Sequence, residues 1–500
     1  MCFPKVAPLC LTSLTCVNRL YRIISGVDGT LRRNLMSRIM VIDSTMRDKD
    51  RAPRTDITRR FTDTLHGLYQ DRAVPEEVLA ESRRSWVNVV HTAIGAARHP
   101  IVDAMVSVHG GSGAEGLPFL ARSERSDVYG IALVTGTAAH IEDFDDTHLA
   151  TVIHPGAACL GAALAIGGRH GSSGAEVLHA FALGIEAQLR VGVALTPSHY
   201  DEGWHITGTC GVIGAAVTAG LLLGLDRPGL ARAVGLAVSQ TVGHREGFGS
   251  SVKPFNAGKA GANGVLAALL AEQELTSPTT ALEGRQGLFA VFSPAADPED
   301  VLRDIGVRWE SCDNAYKPYP CGIVSHPAID AAVALAPRLQ GRDVVSADVL
   351  CHPLVVELTG NPQPENGLRA KFSTVHGVAA GLLDATVGLP QYADARVTAT
   401  DVRDLRAATT LSPDPDCARD EATVRVRLSD GTELVEHVRH ARGSNARPLT
   451  DEELAAKSLA LTGPVLGERA GDMLESAWGL DRSPTLADHF APARVEGATA

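Results

Sequence analysis

The feature that most constrains the fold is a series of helix-length apolar segments between about Thr55 and Trp309. Within each segment the apolar residues recur with the period of an amphipathic or buried helix, and Gly, Pro or Asp residues separate the segments. Strands do not alternate with these helices, which argues against a doubly wound sheet. We therefore predict a mainly α protein with a large all-helical domain. The predicted helices cover residues 74–95, 154–167, 175–195, 206–225, 228–242 and 261–273.

The segment 206–225, ITGTCGVIGAAVTAGLLLGL, contains no charged residue and is long enough to cross a bilayer. It is rich in Gly and Thr, it lacks a basic flank, and no second run of this kind occurs in the sequence. These properties favour a central helix that is buried on all sides. We predict no membrane interaction.

After Cys312 the sequence becomes strand-like. Residues 345–358 resemble a strand, and residues 422–440 resemble a hairpin whose turn contains Asp430 and Gly431. This part is predicted to be a smaller α+β domain. Helix returns after Thr450, which forms a capping box with Glu453, and this terminal helix is predicted to rejoin the helical domain.

Five hundred residues are too many for one ordinary hydrophobic core. We predict an N-terminal extension over residues 1–50, which is basic, lacks a periodic apolar face and is expected to be disordered. Residues 51–312 and 447–500 are predicted to form the helical domain from both chain ends. Residues 313–446 are predicted to form the smaller α+β domain.

Composition excludes several classes of function. The net charge is −12 and aromatic residues make up only 4% of the chain, which argues against nucleic-acid binding. The nine cysteines are scattered and form no CxxC motif, so we predict no disulfide framework, zinc site or iron–sulfur cluster. Free thiols are typical of the cytoplasm. An acidic protein with an acidic substrate needs a local positive pocket, so isolated lysines and histidines are of interest.

Two short motifs have weak support. Residues 143–147 match DxDxT, the phosphoaspartate motif of a phosphatase family, but the small, polar residues before Asp143 do not resemble the buried strand that this chemistry needs. Residues 111–116 match GxGxxG, but Pro118 interrupts the helix that a dinucleotide site requires. We interpret the second motif as a loop and the first as either a solvated helix end or part of a pocket.

Two other segments are better candidates for a site. His205 directly precedes the apolar segment 206–225, where a helix N-terminus keeps imidazole neutral and attracts anions. Lys253 lies between a Gly/Ser loop and Pro254, and Lys259 is predicted to open the next helix. The alternatives are a capping or core histidine and a solvated surface lysine.

Taken together, several segments resemble the MmgE/PrpD family, and they occur in the family's order over residues 55–490. The resemblance implies a large helical domain, a smaller lid domain, a homodimer, and chemistry without metal or organic cofactor. The matching segments are DFDDTH (143–148), HPGAA (154–158), GWHITGTCG (203–211), VKPFNAGKAGANG (252–264), YKPYPCG (316–322), HPAID (326–330) and AKFS (370–373).

The resemblance also implies the site residues. It places Asp143, His154, His205 and Lys253 in catalytic roles, and Thr147, Lys317 and His376 in substrate binding. Two positions depart from the family pattern. Gly322 stands where the decarboxylase branch has a histidine, and His376 stands where many members have a tyrosine.

From these residues we predict a cofactor-independent dehydratase acting on a small 2-hydroxy di- or tricarboxylate. Removal of a proton α to a carboxylate places charge on that carboxylate, which Lys253 and Lys317 would stabilise. His205 is predicted to be the general base. His154 is predicted to protonate the leaving hydroxyl, and Asp143 to orient a histidine or a lysine. The sequence does not decide between this assignment of the two histidines and the reverse one. An epimerase, an isomerase, a decarboxylase and a catalytically degenerate binding protein remain alternatives.

Overall fold

The computed structural model describes residues 56–110 and 116–495, and it is 60% helical. The predicted mainly α class is therefore confirmed. The predicted extension over residues 1–50 and residues 111–115 of the GxGxxG segment lie outside the described residues.

The helices and strands are numbered here in chain order. The α-helices are α1 Ile57–Gln70, α2 Glu76–Gly95, α3 Pro100–His109, α4 Val128–Ile141, α5 Pro155–His170, α6 Gly174–Leu195, α7 Ser198–Asp201, α8 Ile206–Leu222, α9 Arg227–Val238, α10 Val252–Glu272, α11 Leu288–Phe292, α12 His326–Leu339, α13 Pro353–Thr359, α14 Gly367–Ala370, α15 Thr374–Asp384, α16 Asp394–Val397, α17 Thr400–Ala407, α18 Asp451–Leu466, α19 Ala470–Trp478 and α20 Leu486–His489. The strands are β1 Leu117–Pro118, β2 Arg125–Ser126, β3 Asp146–His148, β4 Asn314–Tyr316, β5 Val344–Cys351, β6 Thr409–Pro413, β7 Ala422–Leu428 and β8 Glu433–Val438.

The largest hydrophobic core takes side chains from Ile57 to Tyr316 and again from Leu449 to Ala493. The C-terminal helices pack on α2, where Trp86 contacts the rings of Phe181 and His489. A second core takes its side chains from Val324 to Val438. The domain boundaries at residues 312 and 446, and the description of the smaller domain as a lid, stay predictions.

The predicted central helix is confirmed as α8, in which every residue is buried. Among the described residues, α6 is the helix long and apolar enough to cross a membrane, and 89% of its most apolar 18-residue window is buried inside the protein. Both helices thus pack against protein on nearly all sides, which is how an all-round apolar helix is accommodated in a globular core.

Glycines allow these helices to approach closely. A Cβ atom at Gly258 in α10 would lie 2.1 Å from Thr137 Oγ1 and 2.2 Å from the Leu133 carbonyl oxygen, both in α4. Neither atom can move far, because both belong to a buried helix. The glycine is therefore required by helix packing and not by its backbone angles.

Gly258→Ala is expected to lower the free energy of unfolding by several kcal/mol, because it forces α10 away from α4. Gly471→Ala is the matched control, since Gly471 lies in α19 and a Cβ there would meet nothing within 4 Å. It should raise stability by up to about 1 kcal/mol through helix propensity. Urea unfolding of both variants tests this, and equal effects would contradict the packing argument.

The sheet of the second half has the strand order β6-β5-β7-β8, with β5 and β6 parallel and the other pairs antiparallel. The predicted hairpin is confirmed as β7 and β8. An Asp-Gly pair often forms a hairpin turn in which both residues have positive φ. Here only Gly431 does, with a φ of 84°, so the turn is of another type. The strand predicted over residues 345–358 ends at Cys351, because His352 caps helix α13, which begins at Pro353.

Two helix ends bear on the site. Helix α10 begins at Val252, nine residues before the predicted start at residue 261, so Lys253 lies in its first turn and Lys259 does not open it. Pro254 is compatible with this turn, where a backbone N–H has no intrahelical partner. The capping box of Thr450 and Glu453 is confirmed at the start of α18.

Candidate active site

Three of the predicted residues lie at helix N-termini. His154 is the N-cap residue of α5, His205 is the N-cap residue of α8, and Lys253 lies in the first turn of α10. The glycine- and alanine-rich sequences of these helices permit close packing, which brings the three N-termini to one cavity. Helix N-termini carry partial positive charge and free backbone N–H groups, so this end of the bundle favours anions.

Asp143 is the acid that contacts both lysines of the site. It follows α4 with a positive φ of 52°, which turns the chain sharply and directs the carboxylate inward. Lys253 Nζ donates to its Oδ1 at 2.6 Å, and Lys317 Nζ donates to the same oxygen at 2.8 Å. Lys317 directly follows β4, which pairs with the strand β3 that contains Thr147. The short sheet therefore fixes two more of the predicted residues beside Asp143.

The pKa values of this group reflect burial and charge together. Burial alone would raise the pKa of Asp143, but the ammonium groups of Lys253 and Lys317 hold it well below its usual range. Burial lowers the pKa of Lys253, and Asp143 opposes that change. One carboxylate thus keeps two buried lysines together in a protein interior that would otherwise reject them.

A second acid, Asp145, lies between two histidines. His140 Nδ1 donates to Asp145 Oδ2 at 2.6 Å, and His154 Nδ1 lies 3.2 Å from Asp145 Oδ1. Burial would raise the pKa of Asp145, but His140 and His154 hold it well below its usual range. Burial lowers the pKa of His154 to about 3, so its ring is neutral in the free protein.

His205 lies across from this acid. Its Nδ1 accepts a hydrogen bond of 3.2 Å from the Asn256 amide nitrogen, and its ring meets Phe248 edge-on with centroids 5.0 Å apart. Burial lowers the pKa of His205 well below the ordinary histidine value, and His140 and Lys253 lower it further. This histidine is therefore also neutral.

These side chains surround one cavity with a polar half and an apolar half. Asp143, Thr147, His154, His205, Lys253 and Lys317 all line it, so the structure brings together six of the seven predicted site residues. The apolar half comes mostly from the second part of the chain. The remaining lining residues are Val152, Tyr200, Phe248, Gly322, Ile323, Val324, Leu358, Thr359 and Phe372.

His376 is the residue that the structure does not bring to this cavity. It is fully buried in α15, its Nε2 donates to the Gln391 carbonyl oxygen at 2.9 Å, and its ring packs against Tyr392. Burial lowers its pKa to about 4. Its contacts are those of a core histidine, which differs from the predicted substrate-binding role.

Several supporting residues were not foreseen from sequence. Lys457, in α18, donates to the backbone oxygens of Phe144 and Lys317 at 2.6 and 2.9 Å, which holds both sides of the site. Lys371 donates to the side chain and the backbone oxygen of Glu142, the neighbour of Asp143. The AKFS motif was a usable signal for Lys371, whereas no local pattern marks Lys457.

The DxDxT motif has a different context from that of a phosphatase. A helix precedes Asp143, as the sequence indicated, and the motif's acids are buried and paired, so the solvated helix end is wrong. Four side chains could hold a metal ion, since their ligand atoms all lie within 4.8 Å of one another: His140, Asp143, Asp145 and His154. However, Asp143 Oδ1 already binds two ammonium groups, Asp145 Oδ2 is already hydrogen-bonded to His140, and Asp145 Oδ1 lies 3.2 Å from His154 Nδ1.

Comparison with known proteins identifies relatives of this chain and the family to which it belongs. The chain is 29% identical over 344 residues to the cis-aconitate decarboxylase of Mus musculus, covering 65% of this chain and 70% of that protein. It is 28% identical to the human protein of the same name, covering 65% and 71%, and 26% identical to the Aspergillus terreus protein, covering 69% and 76%. The sequence model of the MmgE/PrpD N-terminal domain matches residues 59–300, and that of the MmgE/PrpD C-terminal domain matches residues 319–479. The chain therefore belongs to the MmgE/PrpD family.

Proposed function

We propose that this protein is a lyase that removes a proton α to a carboxylate of a small polycarboxylate and then eliminates water. The observation that carries this proposal is the pair of buried ammonium groups on Asp143 Oδ1, within one cavity that also contains two neutral histidines. Lysines bind carboxylates, and neutral histidines transfer protons or donate hydrogen bonds. A dehydratase of this type needs both kinds of group.

The two lysines are suited to bind and polarise a substrate carboxylate. Each ammonium group has three N–H donors. Asp143 Oδ1 takes one from each, and the Asp143 carbonyl oxygen takes a second one from Lys317 at 3.1 Å. Remaining donors are available to an anion in the cavity. When the α proton leaves, charge builds on the bound carboxylate, and fixed cations in a dry site stabilise that charge far more than water does.

The proposed reaction has two bond changes. A histidine takes the α proton, and the electron pair of the broken C–H bond is delocalised into the carboxylate held by the lysines. That electron pair then forms the C=C bond while the neighbouring hydroxyl leaves as water with a proton from the enzyme. Epimerisation and isomerisation share the first change and differ in where the proton returns.

The apolar half of the cavity favours a substrate with an apolar branch. Gly322, Ile323 and Val324 form this wall together with Leu358 and Thr359. A Cβ atom at Gly322 would lie 2.6 Å from Thr359 Cγ2, so the wall excludes a side chain there. The chain therefore lacks the histidine that the decarboxylase branch has at this position. A methyl-branched acid such as methylcitrate matches this wall better than a further carboxylate does.

Decarboxylation is the second candidate, and the relatives favour it. The cis-aconitate decarboxylases of Mus musculus and Aspergillus terreus share 29% and 26% identity with this chain. Loss of carbon dioxide from an unsaturated acid also needs lysines around a carboxylate and a histidine that supplies a proton. The two reactions differ in their products, so one assay separates them.

The test is to incubate the purified protein in deuterated water with citrate, methylcitrate, aconitate and aspartate-derived acids, and to follow each by NMR. Loss of water from a hydroxy acid, or addition of water to an unsaturated one, supports the dehydratase. Loss of carbon dioxide supports the decarboxylase, and deuterium exchange without a new product supports an epimerase. Binding without exchange would support a degenerate binding protein, which the intact polar cluster argues against.

Activity is expected to survive EDTA. The lysines supply the positive charge that a metal ion would otherwise provide. Asp143 is already paired with two lysines, and Asp145 is already hydrogen-bonded to His140. Turnover should be measured before and after dialysis against the chelator, with an EDTA-sensitive metalloenzyme treated in parallel. Loss of turnover that stoichiometric zinc, iron or magnesium restores would contradict this expectation and would point to the cluster of His140, Asp143, Asp145 and His154.

We further propose that the active form is a cytoplasmic homodimer. The cysteines in the described part of the chain are free thiols, and all of them except Cys312 are buried, which is compatible with a reducing compartment. Light scattering during gel filtration tests the dimer, and a monomeric mass would contradict it.

A further inference from the structure

We infer that the two cavity histidines are held in opposite tautomers, by the acceptors around His154 and by the Asn256 amide at His205, so that His154 is the base and His205 the hydrogen-bond donor. This inference rests on the proposed function for its catalytic part, but the tautomers themselves are properties of the free protein. It reverses the roles predicted from sequence, where His205 was the base.

The first half of the argument concerns His154 Nδ1. It lies 3.1 Å from the Asp146 carbonyl oxygen, 3.2 Å from Asp145 Oδ1 and 3.2 Å from the Thr147 hydroxyl oxygen. The carbonyl and the carboxylate can only accept, and the hydroxyl can accept as well as donate. A free electron pair on Nδ1 would face two oxygens that cannot donate, so Nδ1 carries the proton. In a neutral imidazole the other nitrogen then has the free electron pair. His154 Nε2 is therefore an acceptor, and it lies 3.9 Å from Asp143 Oδ1, next to the carboxylate that binds both lysines.

The second half concerns His205 Nδ1. Its hydrogen-bond partner is the Asn256 amide nitrogen at 3.2 Å, which can only donate. Nδ1 must therefore accept, and the proton of the neutral ring is on Nε2. Asn256 is buried in α10 one turn after Lys253, so one helix positions both a substrate-binding cation and the tautomer of the facing histidine.

The chemistry follows from these two protonation states. His154 Nε2 takes the α proton, and the electron pair of the C–H bond moves into the carboxylate to give an enediolate. His205 Nε2–H donates a hydrogen bond to an oxygen of that enediolate without losing its proton. Asp145 then faces an imidazolium at His154, which its negative charge stabilises, and His140 keeps the other oxygen of Asp145 in place. Asn256 and Asp145 are thus positioning residues.

The tautomers can be observed directly and without substrate. In protein labelled with ¹⁵N only in histidine, two-bond ¹H–¹⁵N correlation spectra distinguish a protonated nitrogen from one with a free electron pair. The two signals are assigned by their disappearance in His154→Gln and His205→Gln. We expect a protonated Nδ1 at His154 and a protonated Nε2 at His205. The opposite assignment at either ring would overturn the inference, whatever reaction the protein catalyses.

Asn256→Asp tests the positioning role. The new carboxylate can only accept, so it forces the proton of His205 onto Nδ1 and leaves Nε2 without a donor. We expect kcat to fall about 10²–10⁴-fold, as for an active-site histidine in the wrong tautomer. The His205 signals should change to the Nδ1-protonated pattern, a readout that a purely structural role would not alter. Unchanged signals or unchanged kcat would overturn the role of Asn256.

Asn263→Asp is the matched control. Asn263 lies in the same helix, is equally buried and donates to the Gln240 backbone, outside the cavity lining. It should leave kcat and the His205 signals unchanged.

Deuterium exchange at the α carbon then distinguishes the roles of the two histidines, because His154→Gln removes the base whereas the amide of His205→Gln still donates. A larger loss of exchange in His205→Gln than in His154→Gln would overturn the assignment of the base. If the tautomers are as inferred but the protein turns over none of the acids, only the proposed function is contradicted.

Discussion

Lys253→Ala is expected to lower kcat/KM by about 10³-fold or more, with both a higher KM and a lower kcat. The ammonium group is buried beside Asp143. Burial lowers its pKa, and the Asp143 carboxylate raises it. Part of its interaction with substrate already exists in the ground state, and loss of that part accounts for the higher KM of the variant. The rest grows as the carboxylate gains charge in the transition state, which accounts for kcat.

Two further variants make this test specific. Lys253→Arg should rescue only partly, because a planar guanidinium does not replace a compact ammonium between Asp143 and the rings of Phe248 and Phe372. Lys259→Ala is the control, since Lys259 lies in the same helix, is partly exposed and does not line the cavity. Steady-state kinetics and a melting curve for each variant suffice. A Lys253→Ala protein with unchanged kcat/KM would contradict the proposed role of this lysine.

Acid is expected to destabilise the protein steeply below about pH 6.5, because many histidines are neutral only while they are buried. Burial lowers their pKa from the ordinary 6.5 to about 3 or 4, so between these values the unfolded chain binds more protons than the folded one. The stabilisation is thus complete above pH 6.5 and is lost as the pH falls. Each such group contributes up to about 1.4 kcal/mol per pH unit. The histidines concerned are His91, His148, His154, His199, His326, His376 and His489.

Three buried acids oppose this trend. Burial raises the pKa of Asp146 to about 6 and also raises the pKa values of Glu81 and Glu186, so protonation of these acids stabilises the folded protein as the pH falls. Their three protons are outweighed by those of the histidines. Asp143 and Asp145, whose pKa values are depressed, lose their contribution only at still lower pH.

Urea unfolding at several pH values between 7 and 4 measures this dependence. His91→Leu should reduce the slope by about 1.4 kcal/mol per pH unit, because His91 is fully buried in α2. His170→Gln is the control and should leave the slope nearly unchanged, since His170 is exposed at the last residue of α5. A wild-type stability that is flat from pH 6.5 to 4 would contradict the prediction.

Much of the local structure was predictable from sequence because it depends on near neighbours. Apolar periodicity predicted the buried helix α8, the Thr450 capping box predicted the start of α18, and the position of His205 before α8 was correct. The hairpin β7–β8 was also predicted, although the backbone of its turn was not. These features rest on interactions within a few residues, which sequence spacing describes well.

The composition of the site depended on the tertiary structure. Lys317 meets Asp143 and Lys457 meets the Lys317 backbone only because separate parts of the chain pack together, 174 and 140 residues apart. No local pattern indicates that Asn256 faces His205, or that His376 belongs to the core. Hence the sequence by itself determined the helical class, the family resemblance and most of the polar residues of the candidate site. Tertiary packing decided which of them share a cavity, because burial and partner atoms set their charges and tautomers, and both arise from contacts distant in sequence.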